Sequence, residues 1–139
     1  MQPYVKCIPH TVKTLLQHIT LSIENDALPV SAMKQKSAFP PNYVHSLDST
    51  HMLMTGLRMK ERGLSYTAVH DSYWTHACDV DTMNSDLREC FIELYKKPLL
   101  EDLKKSLELR YPNIIDIPPV PERGELDIDE VKKSRYFFH

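Results

Sequence analysis

Cysteine is scarce in this 139-residue chain: Cys7, Cys78 and Cys90 are an odd, widely spaced set with no CxxC pair. Such a set excludes a disulfide framework and fits buried thiols in a reducing compartment. Long hydrophobic runs are missing too, since none approaches the ~18 residues that suggest a membrane span. Nor does one sign of charge dominate, because 17 Lys and Arg stand against 19 Asp and Glu for a formal net charge of −2. That balance argues against a free-standing nucleic-acid binder, which normally shows a strongly basic face. The opening MQPYVKCIPHTVK has no basic-then-apolar secretory pattern and no arginine- and serine-rich transit helix, so any targeting address is expected outside these residues. Internal repeats and low-complexity tracts are also absent.

What remains is ordinary for a soluble globular protein: 42% hydrophobic, 26% charged, mean hydropathy −0.39. The length suits one domain, which buries roughly 68–70% of the surface an unfolded chain exposes. Basic residues cluster locally at Lys34 and Lys36, at Arg58, Lys60 and Arg62, and at Lys132, Lys133 and Arg135. A solvated charged face accounts for each cluster.

Residues 1–41 alternate loosely and suit one or two strands or a short helix at 12–19. The prolines of AFPPN at 38–42 then predict a firm break, because they lack the amide protons a helix needs. From Ser46 the pattern is helical: Asp48 or Ser49 can cap, Leu53, Met54 and Leu57 recur on one side, and Gly63 stops a helix of about 48–62. LSYTAVH and SYWTHA follow as two β-favouring segments with almost nothing between them, which is the sequence form of a hairpin. His70 and Asp71 occupy the place where Asn-Gly or Asp-Gly usually stands, and Asp tolerates the left-handed conformation best of the available turn residues. Asp79 or Asp81 can cap a helix in which Met83, Leu87, Cys90, Phe91, Leu94 and Tyr95 repeat at three and four residues. Pro98 interrupts it, and a second amphipathic helix continues with Leu99, Leu103 and Leu107 inward. A proline-rich loop, a short helix at about 127–134 and an aromatic tail complete an α+β chain with a small hairpin supported by helices.

Seven histidines, four of them (His45, His51, His70, His76) between residues 45 and 76, raise the question of a metal site. Their spacing does not match a zinc helix, which places two histidines at i and i+4 with a glutamate between them. His45, His51 and His76 read as individually hydrogen-bonded, partly buried side chains. His70 and Asp71 differ, because a hairpin tip exposes a carboxylate while its strands hold the backbone rigid. A tip carboxylate suits magnesium, which takes one or two protein carboxylates and completes its shell with water and phosphates. A turn Asp that merely stabilises its own backbone is the competing reading of those two residues.

FPPNYVHSLDSTHM and AVHDSYWTHACDVDTMN, together with the ending KKSRYFF, resemble the C-terminal part of the single-subunit, bacteriophage-type RNA polymerases of mitochondria and plastids. The resemblance runs from about Lys34 to the last residue, and QPY at 2–4 resembles the tail of a motif just upstream. It implies a right-hand polymerase fold in which these residues form a C-terminal palm fragment: a β and loop lead-in at 1–41, a motif region at 42–98, and a C-terminal helix and tail at 99–139. Asp71 would be one of two aspartates holding paired Mg2+ ions, and His70 would shape the hairpin tip near the end of the growing RNA. His45 would reach the minor-groove side of the template-paired nucleotides, where acceptors are nearly the same for every base pair. Asn42 and Asp48 would organise the loop and helix start, and Tyr136, Phe137 and Phe138 would pack beside the palm. His139 departs from the small residue expected there.

The implied partners are a DNA template, an RNA transcript, ribonucleoside triphosphates and mitochondrial transcription factors, in the mitochondrial matrix or alternatively in plastids. The family's first catalytic aspartate and its nucleotide-binding helix match nothing here, so the resemblance implies half a metal site and no activity for the chain alone. A related DNA polymerase palm usually reads His-Asp-Glu where this chain has Ser72. A metal-dependent phosphohydrolase using His45, His70, Asp71 and Asp81 would place its His-Asp pair on a helix. A non-catalytic binding module is the third alternative.

Overall fold

In a computed structural model, which describes residues 3–24, 27–113 and 117–137, the chain begins with an antiparallel hairpin. Strand β1 (Cys7–Lys13) pairs with β2 (His18–Glu24) in a register from Cys7 opposite Glu24 to Lys13 opposite His18. The helix considered for 12–19 does not form. Thr14 closes the turn instead: its amide donates to the Gln17 carbonyl at 2.9 Å, its hydroxyl donates to the same oxygen at 2.9 Å, and the Gln17 amide donates back to that hydroxyl at 3.1 Å. This local network gives Thr14 a non-helical alternative that its β-branched side chain favours.

Helix α1 (Ala32–Glu61) begins sixteen residues before the expected start and runs through Pro40 and Pro41. The break at AFPPN is therefore corrected, as is the capping role of Asp48 and Ser49, which lie inside the helix. Proline removes the bonds that the carbonyls of Lys36 and Ser37 would accept, and both residues are exposed, so water can serve those oxygens. Phe39 and Tyr43 stack across the prolines at i and i+4, with centroids 6.3 Å apart and planes at 15°. The stop at Gly63 is as expected: φ is 71°, the Gly63 amide bonds Lys60 O and the Leu64 amide bonds Met59 O, each at 2.9 Å, the pattern of a Schellman cap.

Strands β3 (Thr67–Val69) and β4 (Ser72–Trp74) form a second antiparallel hairpin, with Val69 opposite Ser72. A 3-10 turn at Ala77–Asp79 leads into α2 (Val80–Tyr95), and Pro98 separates that helix from α3 (Leu99–Arg110). Asp79 holds the N-cap position of α2 without a side-chain cap bond. The expected short terminal helix is a 3-10 helix, Ile128–Lys133, capped by Asp127, whose side chain accepts from the Asp129 amide. Mixed helices and small antiparallel hairpins make the fold α+β, as expected.

The chain divides into two units, Met1–Leu47 and Asp48–His139. In the first, Tyr4 is tied to α1: its amide donates to Gln35 Oε1 at 3.0 Å and Asn42 Nδ2 donates to its hydroxyl at 2.8 Å. Asn42 thus fastens the segment before β1 rather than a loop before α1. In the second, Met59, Met83 and Leu87 form a buried centre against which Leu64, Tyr66, Tyr73 and Phe137 pack. The Met83, Leu87, Cys90 and Leu94 stripe of α2 is buried, as its spacing predicts.

Two ion-pair sets join α1 to α2. Arg58 reaches Glu89 at 2.7 Å and Glu93 at 2.8 Å, and Arg62 grips Asp86, a carboxylate with 0% exposure, through two bonds of 2.8 and 2.9 Å. These two arginines are therefore structural, and not part of a merely solvated basic face. No disulfide forms; Cys90 is buried, Cys7 half-buried, and Cys78 exposed, contrary to the expectation of buried thiols. Among the described residues no helix is long and apolar enough to cross a membrane.

Candidate functional site

His70 and Asp71 are the two loop residues of the β3–β4 hairpin, since Val69 and Ser72 on either side are paired. His70 has φ 54°, the positive value; Asp71 does not share it. The left-handed position expected of the aspartate thus belongs to the histidine. A two-residue turn with φ above zero only at its first central position follows the type II′ pattern, and that position is residue 70. Histidine is among the non-glycine residues enriched at positive φ, but the conformation is uncommon and costs it energy that glycine would not incur. Asp71 is exposed, as is His70.

Each strand of this hairpin has only three residues, too few to hold itself. Its seat is built by side chains on its inner face. Tyr73 is half-buried between the exposed Ser72 and Trp74. Its ring lies 6.1 Å from Tyr66 and 6.3 Å, edge-on at 72°, from His51 on α1. The Tyr66 hydroxyl donates to Met52 O at 3.0 Å, and a Cβ on Gly56 would come within 3.0 Å of the Tyr66 ring, so the glycine lets the ring lie flat on the helix. Thr75 closes the base of the hairpin, donating to Ser65 O at 2.7 Å.

Burial raises the Tyr66 phenol above its usual range, with the neighbouring Tyr73 and Cys90 adding to the effect. Tyr73 is raised first by burial and then by the charges of Asp48 and Asp71. Both hydroxyls stay protonated at neutral pH, so the seat is uncharged while the tip carries a carboxylate. Asp71 also borders a cavity of about 470 Å³ lined by Ser72, Trp74 and Thr75 and by the Val80, Met83, Asn84, Leu87 stripe of α2.

Among the described residues no group of three or more His, Cys, Asp or Glu could hold a metal ion. Magnesium takes one or two protein carboxylates and completes its shell with water and phosphates, and an exposed carboxyl such as that of Asp71 would offer it one. The strand, turn and strand around His70 and Asp71 count against the phosphohydrolase alternative, which needs them on a helix.

The remaining candidates are dispersed. His45 is exposed within α1, in the first unit, whereas His70 and Asp71 lie in the second. Asp81 is exposed in the first turn of α2, and His76 is exposed, not partly buried as expected. Only His51 meets that expectation, with 4% exposure and Nε2 2.8 Å from Leu87 O. In the tail, Phe137 meets Phe91 edge-on at 5.1 Å and lies under the Arg88 guanidinium at 5.3 Å, while Tyr136 is exposed. Gln2, Phe138 and His139 lie outside the described residues. Sequence reasoning missed Gly56 and Tyr66 as parts of the hairpin seat; their ten-residue separation across a chain reversal carries no periodic signal.

Residues 1–116 match the protein family described as DNA-dependent RNA polymerase. DNA-directed RNA polymerase 1B, mitochondrial, of Nicotiana tabacum is 54% identical over 139 residues, which are 100% of this chain and 14% of that protein. DNA-directed RNA polymerase 1A of the same species is 53% identical over 139 residues, 100% of this chain and 88% of the relative. DNA-directed RNA polymerase 3, chloroplastic, of Nicotiana sylvestris is 51% identical, again over 100% of this chain and 14% of the relative. The chain thus spans a small part of the mitochondrial and chloroplastic proteins it matches, and nearly all of one shorter relative.

Proposed function

The chain belongs to the DNA-dependent RNA polymerase family, and from that premise we propose that it supplies one metal-binding carboxylate, Asp71, to a template-directed nucleotidyl transferase. In this reading β3 and β4 are the palm hairpin of a right-hand polymerase, with a DNA template, an RNA transcript and ribonucleoside triphosphates as partners. The observation that carries it is the placement of Asp71: an exposed carboxylate at a two-residue turn whose strands are seated on α1 and α2.

Magnesium, when bound, lowers the pKa of a 3′-hydroxyl and neutralises charge on the phosphates. The chain's own contribution is position. Asp71 offers oxygen ligands from a fixed backbone, His70 sets the reversal that aims them, and the uncharged aromatic seat leaves that carboxylate the strong charge of the tip. His45 contacts the minor-groove side of the paired nucleotides, where pairing can be sensed without reading sequence. Little covalent work is asked of the protein in such a transfer; positioning and charge stabilisation dominate.

An organelle is the site of action in this reading, as the relatives named mitochondrial and chloroplastic suggest. Mitochondrial transcription factors are the accessory partners that would follow from a matrix location.

The decisive experiment places these residues in a complete polymerase. In a chimera where this chain replaces the matching 139 residues of the tobacco mitochondrial relative, Asp71→Asn should abolish nucleotide addition while promoter-DNA binding stays near that of the parent chimera. Retained synthesis by Asp71→Asn would refute the metal role.

A further inference from the structure

We infer that His51 is a positioning residue for Asp71, acting through the ring of Tyr73; the inference rests on the metal role proposed for Asp71. The tip of a two-stranded, three-residue hairpin points wherever its inner face is seated. On β4 the inward side chain is Tyr73, two residues from Asp71, a separation of about 7 Å along a strand. A shift of that ring that moves β4 would move the carboxylate with it.

The Tyr73 ring lies 6.1 Å from the Tyr66 ring and 6.3 Å from the His51 ring, to which it stands at 72°. His51 is itself fixed from two directions. Its Nε2 stands 2.8 Å from Leu87 O, and because a carbonyl only accepts, Nε2 is the protonated nitrogen and donates. Its ring also meets Phe91 edge-on, at 5.7 Å and 82°. One side chain therefore ties α1 to α2 and sets a ring against the hairpin. Glutamine could supply the hydrogen bond without the ring, and phenylalanine the ring without the bond. Burial lowers the His51 pKa, which keeps the ring neutral beside Tyr73.

The role predicts effects that ordinary destabilisation does not. In the chimera described above, His51→Gln and Tyr73→Leu should each lower the maximal rate about 10- to 100-fold, the scale of a sub-ångström to one-ångström misplacement. Each should also raise the Mg2+ concentration needed for half-maximal rate, with promoter binding unchanged. Tyr73→Phe, which keeps the ring, should behave as the parent. Because the two residues act in series, the double variant should be no worse than the poorer single variant.

A readout without metal comes from the 139-residue chain, whose single tryptophan, Trp74, follows Tyr73 on β4. Acrylamide quenching of Trp74 in His51→Gln should increase toward the value for the urea-unfolded chain, while far-UV circular dichroism stays unchanged. Three outcomes overturn the inference: an Mg2+ dependence within about twofold of the parent in a folded His51→Gln, the same in Tyr73→Leu, or singles whose effects multiply in the double variant. If His51→Gln fails to fold, a parent-like Mg2+ dependence in Tyr73→Leu still overturns the inference. Synthesis retained by Asp71→Asn in the same chimera would instead remove the metal role itself.

Discussion

At the scale of single residues, the histidines divide by environment. His51 is nearly enclosed, His45 and His76 are exposed, and His70 takes a backbone conformation that its type rarely adopts. Burial is the main cause lowering the His51 pKa, opposed by the Leu87 hydrogen bond and the charge of Asp48. The unfolded chain therefore takes up the proton more readily. Stability from His51 is complete above the usual imidazole value near 6.5 and is lost as pH falls through it toward the lower folded value. The urea midpoint should drop between about pH 7.5 and 5.5, and His51→Phe should flatten that drop relative to the parent, as parallel urea titrations would measure. The chemical type at 70 and 71 was legible from sequence, but which of the two takes positive φ was not. Turn type decides that, and it depends on how two strands twist into their seat.

At the scale of elements, legibility followed periodicity. The apolar stripe of α2 and the glycine stop of α1 are local signals, and both are found where the sequence puts them. Helix α1 starts earlier than its prolines predict, because exposed carbonyls can turn to water and an i,i+4 aromatic pair supports the same turns. Gly56 was silent for another reason: its value lies in the Tyr66 ring laid against it. Gly56→Ala adds helix propensity of about 1 kcal/mol. It also drives a methyl into a ring pinned by Met52 O and Tyr73, and such overpacking costs about 1–3 kcal/mol. The expected net result is a loss of up to about 2 kcal/mol, read as a lower urea midpoint with an unchanged slope.

At the scale of the whole molecule, the first hairpin carries exposed apolar side chains. Leu15 and Leu16, at the turn of the first hairpin, are 106% and 96% exposed, and on β1 Val12 and Ile8 are about half exposed at 49% and 48%. In the proposed function one carboxylate is too little for a two-metal centre. The 139-residue chain by itself should show no template-dependent ribonucleotide incorporation with magnesium, measured by radiolabelled product on a primed template. Incorporation above background would overturn the half-site reading.

The order of helices and hairpins after residue 60 and the core stripe of α2 were determined by sequence alone, because each rests on neighbours three, four or a few residues apart; the family was too, through three short motifs in order along the chain. Tertiary structure decided how the hairpin is aimed. His51, Gly56, Tyr66, Tyr73 and Leu87 meet only when α1, the hairpin and α2 fold together, and contacts between residues so far apart along the chain leave no period to read.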